Sequence, residues 1–330
     1  MSAPTTPLTI KKGMVTTIIP VYNRRKLVKA AVASVLAQTY QSLQIIVVDD
    51  GSTDETAATV RHLAKRHAVV TALRQENKGP GCARQLGLEH AEGEYIQFLD
   101  SDDLIAPAKF ALQVAALKSD QEAVAAYGKT EHKALDAEPR KVAWKRTGQK
   151  FDRMFPLFLR ERWWGTSSPL YRHVALRKIG PFLPLYNEED WEYDCRLAAR
   201  GGKLVFVDEF VSTQHSQDQS LSTGGGLIKA KLRDRCKARE AIFLAAKKSR
   251  VKLSQDDFEF FAKSVFHLAR ECAAAGLKQE VHQMLKLSIT ANKGTTKEQE
   301  LFIKFGNFAG WRAAGYAARL WQRVKPASKS

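Results

Sequence analysis

Three stretches decide the fold: VTTIIPVYN at residues 15–23, QIIVVDDGSTDET at residues 44–56 and YIQFLDSDD at residues 95–103. Each opens with a largely β-branched or apolar run, which is typical of a strand buried on both faces of a parallel sheet. Each then closes with a polar cluster. Because the ligands of such sheets bind beyond the carboxyl ends of the strands, the three clusters mark the edge where function is expected.

The chain alternates between strand and helix patterns from residue 14 to residue 127. Strands are predicted over Met14–Pro20, Gln44–Val48, Val69–Leu73, Tyr95–Leu99 and Ala123–Tyr127. Helical patterns separate them, and Ser52 with Glu55 forms a capping-box pattern before one of these helices. The predicted fold class is therefore α/β, with a doubly wound, mostly parallel sheet flanked by helices and right-handed crossovers.

The composition is that of a globular chain. Of its 330 residues, 44% are hydrophobic and 26% are charged, and the length suits about two domains. The four cysteines lie far apart without a Cys-x-x-Cys pair, which excludes a disulfide framework and a structural zinc site and indicates a reducing cytosol. The N-terminus lacks an apolar signal core, and no run of 18 apolar residues occurs, so neither a secretory signal nor a transmembrane helix is expected.

Positive charge is concentrated in the last third of the chain. The formal net charge is +17, and residues 227–330 hold 22 Lys and Arg against 9 Asp and Glu. Helices are predicted there over Leu227–Ala246, Asp256–Ala275, Lys278–Ile289 and Gln299–Val324. A basic helical region suits a solvated surface, nucleic acid, anionic lipid or an acidic substrate. Zinc-finger spacing and a Lys/Arg-Gly-Phe-type strand are both missing, so no specific nucleic-acid partner is expected.

The last predicted helix has two sides on a helical wheel. The apolar side holds Phe302, Ala313, Ala317, Leu320, Trp321 and Val324, and the basic side holds Lys304, Arg312, Arg319 and Arg323. A helix of this kind can lie on an anionic membrane surface, or it can dock on the core of the protein. The sequence leaves both interpretations open.

The acidic cluster after the third stretch points to a cation. Asp100, Asp102 and Asp103 fall within four residues and repel one another unless positive charge lies among them. Mg²⁺ and Mn²⁺ prefer carboxylate oxygens and bridge to substrate phosphates. A solvated acidic turn is the alternative, just as Asp-Gly-Ser at residues 50–52 suits a helix-capping turn. Three polar clusters on one sheet edge favour a binding site.

These motifs continue in NKGPGCARQLGLEHAEGEY (residues 77–95), TSSPLYRHVALRKIGPF (166–182) and EEDWEYDCRLAARGG (188–202). Together they closely resemble the inverting glycosyltransferases of family 2, which have the GT-A fold, over roughly residues 15–222. The resemblance implies a UDP-, GDP- or TDP-sugar donor and a divalent metal, Mn²⁺ or Mg²⁺. The predicted domains are a flexible tail (1–13), a GT-A domain (14–223, with a donor half at 14–127 and an acceptor half at 128–223) and a basic helical C-terminal region (227–330).

The resemblance also assigns roles at the donor and metal sites. Asp50 reads the base of the donor, and Tyr22 stacks near that base from a turn shared with Pro20 and Asn23. The D-x-D motif maps to metal ligands Asp100 and Asp102, with donor-site residue Ser101 between them and His215 completing the metal site or contacting the diphosphate. Two basic residues, Lys78 and Arg84, lie near a helix start that favours anions. The family's Asn after this arginine is replaced by Gln85.

Inversion requires a base for the acceptor hydroxyl. Glu188-Glu189-Asp190 resembles the family's E-D motif, which implies that Asp190 is the catalytic base and that Glu189 orients the loop or the acceptor. The alternative is an acidic helix N-terminus, and both interpretations can hold together. Trp163 and Trp164 suit contact with a sugar ring of the acceptor or donor, or ordinary packing.

The sequence therefore predicts metal-assisted inverting transfer of a sugar to a glycan, lipid-linked or other hydroxyl acceptor, in polysaccharide or glycan biosynthesis. The expected location is cytoplasmic, with peripheral contact to an anionic membrane left open. One alternative is a sugar-nucleotide pyrophosphorylase, although its glycine-rich signature after the first strand is missing. The other is a non-catalytic basic protein that binds nucleic acid or membrane through residues 227–330.

Overall fold

The computed structural model describes residues 10–133, 142–215 and 227–324. Its strands form one mixed eight-stranded sheet. They are β1 (Lys11–Val21), β2 (Leu43–Asp50), β3 (Val70–Gln75), β4 (Gly93–Phe98), β5 (Leu104–Ile105), β6 (Ala125–Lys133), β7 (Leu170–Arg172) and β8 (Leu204–His215).

Helices cover both faces of the sheet and continue beyond it. The first seven are α1 (Arg25–Leu36), α2 (Thr56–Arg66), α3 (Pro80–Glu89), α4 (Lys109–Ser119), α5 (Leu157–Arg160), α6 (His173–Leu176) and α7 (Glu189–Ala199). The C-terminal helical region holds α8 (Lys229–Lys247), α9 (Gln255–Ala274), α10 (Lys278–Asn292), α11 (Lys297–Ala309) and α12 (Trp311–Val324).

The sheet order is β3-β2-β1-β4-β7-β6-β8-β5, and β3, β2, β1 and β4 run parallel as predicted. Two antiparallel strands, which no sequence pattern predicts, complete the sheet. β7 runs antiparallel between β4 and β6, and β5 pairs antiparallel with β8. These two strands have three and two residues, which is too short for a two-residue alternation to be recognised.

Alternation along β1 explains why the sheet is covered on both faces. Ile18 belongs to one core cluster, whereas Val15 and Ile19 belong to the other, since successive side chains of a strand point to opposite faces. The cluster around Ile18 includes Ala83 of α3 and extends without a break to Phe261 of α9. The C-terminal helical region therefore packs on the same core as the sheet.

The structure corrects two local predictions. Ser52 is not a helix cap, because α2 begins at Thr56 and Ser52 Oγ instead accepts a hydrogen bond from the backbone N–H of Asn23 (3.0 Å). The predicted N-terminal tail is also shorter than residues 1–13, because β1 already begins at Lys11; residues 1–9 lie outside the described part of the chain.

The predicted helix over residues 299–324 is wrong, because two helices meet at Gly310, whose φ is 86°. Gly315 lies so close to α9 that a Cβ there would be 2.1 Å from the backbone nitrogen of Ala274. Ala314 and Gly315 therefore face α9, and the expected apolar residues Ala313 and Ala317 are exposed. The last helix docks on the C-terminal helical region itself.

Within the described ranges, none of the helices combines the length and the apolar character that a membrane crossing requires.

Candidate active site

Asp50, at the end of β2, organises the first loop of the site. Its Oδ1 accepts hydrogen bonds from Gln75 Nε2 (2.8 Å) and from the backbone N–H of Lys78 (2.9 Å). Its Oδ2 accepts a third from the backbone N–H of Gly79 (2.9 Å). The anion held at the start of α3 is thus the side chain of Asp50, which fixes the loop that leads into this helix. The Lys78 side chain is exposed at the same place.

The turn after β1 is fixed to the loop after β2. Asn23 has a left-handed backbone (φ 50°), and its Oδ1 accepts a hydrogen bond from the backbone N–H of Thr53 (2.9 Å). Pro20 lies within β1 beside Val48 of β2. Tyr22 remains 43% exposed. The turn therefore presents the Tyr22 ring to solvent at the carboxyl edge of the sheet, while Asn23 has a structural role.

The D-x-D turn follows β4 and contacts two arginines. Asp102 forms an ion pair with Arg24, and Asp100 Oδ1 lies 2.6 Å from Arg84 Nη2. Ser101 between them is buried. Burial raises the pKa of Asp102, the negative charge of Asp100 raises it further, and Arg24 offsets only part of the effect. The pKa of the neighbouring Asp103 lies well above its usual range, first because it is buried and then because of the same two carboxylates.

Arg84 joins the two acidic motifs of the site. It projects from α3, is 3% exposed, and its Nη1 lies 2.5 Å from Glu189 Oε1 while Nη2 contacts Asp100. Glu189 is the first residue of α7 and stands 105 positions from Arg84 in the chain. One buried guanidinium thus brings the D-x-D turn and the E-D motif together.

The pKa values of the two carboxylates of the E-D motif are shifted in opposite directions. Burial raises the pKa of Glu189 to about 7, the charge of Asp190 adds to this effect, and Arg84 offsets part of it. Burial would also raise the pKa of Asp190, but Arg162 and Arg84 more than compensate, so this pKa lies below its usual range. Neighbouring acids with separated pKa values are typical of catalytic pairs.

Arg162 holds Asp190 in place. Its Nη1 lies 2.7 Å from Asp190 Oδ2 and its Nε lies 3.0 Å from Asp194 Oδ2, one turn further along α7. Asp194 is in turn fixed by the Tyr171 hydroxyl, which donates to its Oδ1 (2.7 Å). Thr166 Oγ1 donates to Asp190 Oδ2 at 3.3 Å. Asp190 is therefore an ionised carboxylate at a fixed position.

Comparison with known proteins identifies the family to which part of the chain belongs. The family model described as "Glycosyl transferase family 2" matches residues 16–179. Those residues belong to glycosyl transferase family 2. An uncharacterized glycosyltransferase of Haemophilus influenzae is 40% identical over 102 residues, which are 31% of this chain and 41% of that protein. The glycosyltransferase GlyG of Streptococcus pneumoniae is 40% identical over 93 residues, 28% of this chain and 31% of that protein.

Solved structures share the fold over nearly the whole chain. S. aureus TarS 1–349 in complex with UDP-GlcNAc aligns with a TM-score of 0.68 and 15% identity, covering 96% of this chain and 93% of that one. The mannosyltransferase PcManGT of Pyrobaculum calidifontis, in complex with GDP-Man and Mn²⁺, aligns with a TM-score of 0.53 and 17% identity, covering 96% and 91%. The chain spans a smaller share of its curated relatives: in four of them, the matched segment covers between 17% and 41% of the relative's own length.

Trp163 and Trp164 do not line the family 2 site, which corrects the expected sugar contact. Both are fully buried. Trp163 packs against Tyr127 with ring centroids 4.9 Å apart, and Trp164 packs against Phe158 at 4.8 Å. No ring face is open to a sugar, so their role is in packing.

His215 lies near the D-x-D turn, with Nδ1 3.2 Å from the backbone oxygen of Asp102. The family 2 metal site that the sequence predicts is nevertheless not preformed. Across residues 10–133, 142–215 and 227–324, no three His, Cys, Asp or Glu side chains are grouped so as to hold a metal ion. The carboxylates of Asp100 and Asp102 are instead held by arginines.

Several residues of the site belong to no motif that the sequence analysis could use. The Tyr186 ring lies over Gly79, where a Cβ would meet it at 2.8 Å, and its hydroxyl donates to the Asn77 backbone oxygen (3.1 Å). The positive φ of Gly79 (86°) and this contact explain why a glycine stands there. Arg24 and Arg162 carry no spacing signal, because their partners Asp102 and Asp190 lie far away in sequence.

Proposed function

We propose that the chain is an inverting glycosyltransferase that moves a sugar from a nucleotide-sugar donor to an acceptor hydroxyl. The observation that carries this proposal is the contact of Arg84 with both Asp100 and Glu189. It places the motif expected at the donor diphosphate next to the motif expected at the acceptor. An inverting displacement requires this proximity, because the hydroxyl attacks on the face opposite the departing diphosphate.

Asp190 is the proposed general base. Its lowered pKa keeps it ionised at neutral pH, so it can accept the proton of the acceptor hydroxyl as that oxygen attacks the anomeric carbon. Arg162 and Thr166 hold the carboxylate in one orientation. Glu189 stays bound to Arg84 and orients the first turn of α7.

The donor is proposed to bind along the carboxyl edge of β1, β2 and β4. Tyr22 offers an exposed ring for stacking on the base, and Asp50 holds the loop at Lys78 and Gly79 at the same edge of the sheet. The neighbours in complex with UDP-GlcNAc and with GDP-Man support a nucleotide sugar as the donor class. The acceptor is proposed to be a glycan, lipid-linked or other hydroxyl compound in polysaccharide or glycan biosynthesis.

A divalent cation fits the D-x-D turn chemically. The turn brings three carboxylates together, and burial first and their mutual repulsion second raise the pKa values of Asp102 and Asp103, so positive charge there would be favourable. Asp100, Asp102 and His215 would hold Mn²⁺ or Mg²⁺, which when bound would stabilise the charge of the leaving diphosphate. The neighbour with bound Mn²⁺ supports this assignment.

A thermal-shift screen with UDP, GDP and TDP, each with Mn²⁺ or with EDTA, tests the proposal. Ligand binding to the native state raises the melting temperature, so one nucleotide should stabilise the full chain in Mn²⁺ and less in EDTA. Release of that nucleotide from its sugar conjugates then identifies the donor. A pyrophosphorylase would instead release pyrophosphate from a nucleoside triphosphate. If no nucleotide stabilises the protein, the proposal is wrong.

A second proposal concerns location: cytoplasmic, in contact with an anionic membrane surface. The supporting observation is an exposed stripe on α11, formed by Leu301 (63% exposed), Phe305 (42%) and Phe308 (91%) at helical spacing. Lys297 and Lys304 flank it, and both are exposed. Apolar side chains flanked by lysines are typical of helices that lie on anionic lipid.

Point variants test this location better than a truncation, which would uncover α9. Phe308→Ser should weaken binding to phosphatidylglycerol vesicles about tenfold, because burying a Phe side chain contributes about 1.5–3 kcal/mol. The control is Leu244→Ser on α8, where the side chain is 58% exposed. Equal binding by both variants and the wild type would contradict the proposal.

A further inference from the structure

We propose that Arg239 of α8 is a positioning residue for the Glu189–Asp190 pair, so that the C-terminal helical region forms part of the catalytic apparatus. This inference rests on the proposed function, because it takes that pair as the acceptor-activating group. Arg239 does not contact the pair itself. It acts through the residues on either side of it.

The contacts of Arg239 bracket the E-D motif. Its Nη1 donates to Glu188 Oε2 (2.5 Å) and its Nη2 to Glu188 Oε1 (3.3 Å). Its guanidinium also lies 4.1 Å from the ring centroid of Trp191, within the range of a cation–π contact. Glu188 and Trp191 are the immediate neighbours of Glu189 and Asp190 in the chain. One buried arginine thus holds both ends of the catalytic pair.

Glu188 requires such a hold. It precedes the first turn of α7 with a left-handed backbone (φ 61°, ψ 14°), which a glutamate adopts only when its surroundings determine it. Its backbone oxygen accepts the hydrogen bond from the N–H of Glu192, so its conformation sets where the helix starts. The direction of that first turn decides where the carboxylate of Asp190 points.

Two further residues of α8 reach the same loop. Arg235 Nε donates to Glu188 Oε1 (3.2 Å), while its Nη1 donates to Glu271 of α9 (2.6 Å). Asp234 Oδ2 accepts a hydrogen bond from the backbone N–H of Tyr186 (3.0 Å). The helix also docks through buried Leu232 and other apolar side chains. Apart from the contact with α9, the polar contacts reach residues 186–191, which comprise the loop before α7 and the first turn of that helix and are called the catalytic loop below.

The test compares Arg239→Met with Arg233→Met in the full chain. Arg233 lies on the same helix but pairs with Glu280 of α10 (2.8 Å), away from the catalytic loop. For Arg239→Met we expect kcat to fall about 10- to 100-fold while the Kd for the nucleotide stays within about twofold of wild type, since positioning errors act on the chemical step. Arg233→Met should keep wild-type kcat. A kcat equal to that of the control would overturn the inference.

Coupling to Glu188 separates positioning from a general loss of stability. If Arg239 acts through Glu188, the double variant Glu188→Gln/Arg239→Met should have nearly the kcat of Arg239→Met alone. Multiplicative losses in the double variant would contradict this. Arg239→Lys keeps the charge but not the two-pronged contact, so it should recover only part of kcat. Full recovery would show that charge alone is sufficient and would overturn the role of the paired contact.

An activity-independent measurement keeps this inference distinct from the proposed function. Amide hydrogen exchange of the peptides covering residues 186–192 should be faster in Arg239→Met than in Arg233→Met, because the loop has lost its hold. If the wild type transfers no sugar but exchange still differs in this way, the proposed function fails and the hold on the loop stands. If exchange is unchanged in an active enzyme, the hold on the loop is refuted.

Discussion

Two edges of the site, named for their proposed roles, differ: the donor edge is formed by the loops that Asp50 and Asn23 fix, and the catalytic edge is formed by Glu188, Glu189 and Asp190. At the donor edge, side chains bind backbone N–H groups and neutral side chains 25 to 30 positions away in sequence. At the catalytic edge, each acid pairs with an arginine from a distant part of the chain, over separations of up to 105 positions. The first edge is held by hydrogen bonds from uncharged donors and the second by ion pairs.

This difference predicts different responses to mutation. A backbone hydrogen bond lost at the donor edge leaves one unsatisfied group, and its effect stays local. An ion lost at the catalytic edge changes the pKa of every neighbouring ion, because Arg84 influences both Glu189 and Asp190. The donor edge is thus a preformed support, and the catalytic edge is a coupled set of charges.

The largest effect is expected from Asp190→Asn, which removes proton acceptance and keeps the size of the side chain. Transfer at saturating substrates should fall about 10²–10⁴-fold, the usual contribution of a positioned general base. Nucleotide affinity should stay near wild type, because the donor edge is held independently. The control is Asp256→Asn, which also lies in the first turn of a helix, α9, and reproduces any effect on the helix terminus. Near-normal transfer by Asp190→Asn would exclude it as the base.

Asp50→Ala tests the donor edge. The backbone N–H groups of Lys78 and Gly79 would lose their acceptor, at a cost of about 1–3 kcal/mol each if they stay buried. We expect a lower melting temperature together with weaker nucleotide binding. Asp54→Ala is the control, since this exposed side chain accepts a single backbone hydrogen bond, from Thr56. A nucleotide affinity that is unchanged would show that the loop does not shape the donor site.

The pH profile of kcat distinguishes the two acids. With Asp190 as the base, kcat should stay flat from about pH 5 upward, because its pKa is lowered and it remains ionised there. With Glu189 as the base, kcat should rise through its pKa of about 7, and the rate at pH 6 should be roughly a tenth of the plateau. A profile rising near pH 7 would therefore reassign the base to Glu189.

The smallest effect concerns Arg24, which competes with a cation for Asp102. Arg24→Met should tighten Mn²⁺ binding about fivefold, the equivalent of about 1 kcal/mol for a partly exposed ion pair. Asp102→Ala should instead abolish the metal dependence of nucleotide binding. Titration calorimetry checks both without turnover, the first with Mn²⁺ alone and the second with the nucleotide in Mn²⁺ and in EDTA. Weaker Mn²⁺ binding by Arg24→Met would show that Arg24 supports the metal site rather than competing with it.

The donor edge could largely be predicted from sequence, and the catalytic edge only in part. The parallel strands β1 to β4 were found because their apolar runs and terminal polar clusters are local signals, and the family matched at residues 16–179 was recognised from them. Asp190 was proposed through a motif. Its partner Arg162 was not predicted, because no pattern near Arg162 in the sequence indicates that this residue contacts α7.

The errors have the same origin. The sequence leaves a sugar contact open for Trp163 and Trp164, because it does not reveal which aromatic side chains the fold will bury. The helix over residues 299–324 was drawn through Gly310 because periodicity continues across a single residue with positive φ. Local sequence patterns carry little information about contacts that form only in the assembled fold, or about a helix break at a single residue.

The contact between Arg239 and Glu188 has a consequence for the order of events during synthesis. Arg239 follows Glu188 by 51 positions, so the ribosome needs about 3–10 s to add it at about 5–20 residues per second. During that interval the donor edge already has all of its own chain, whereas the catalytic loop still lacks its hold.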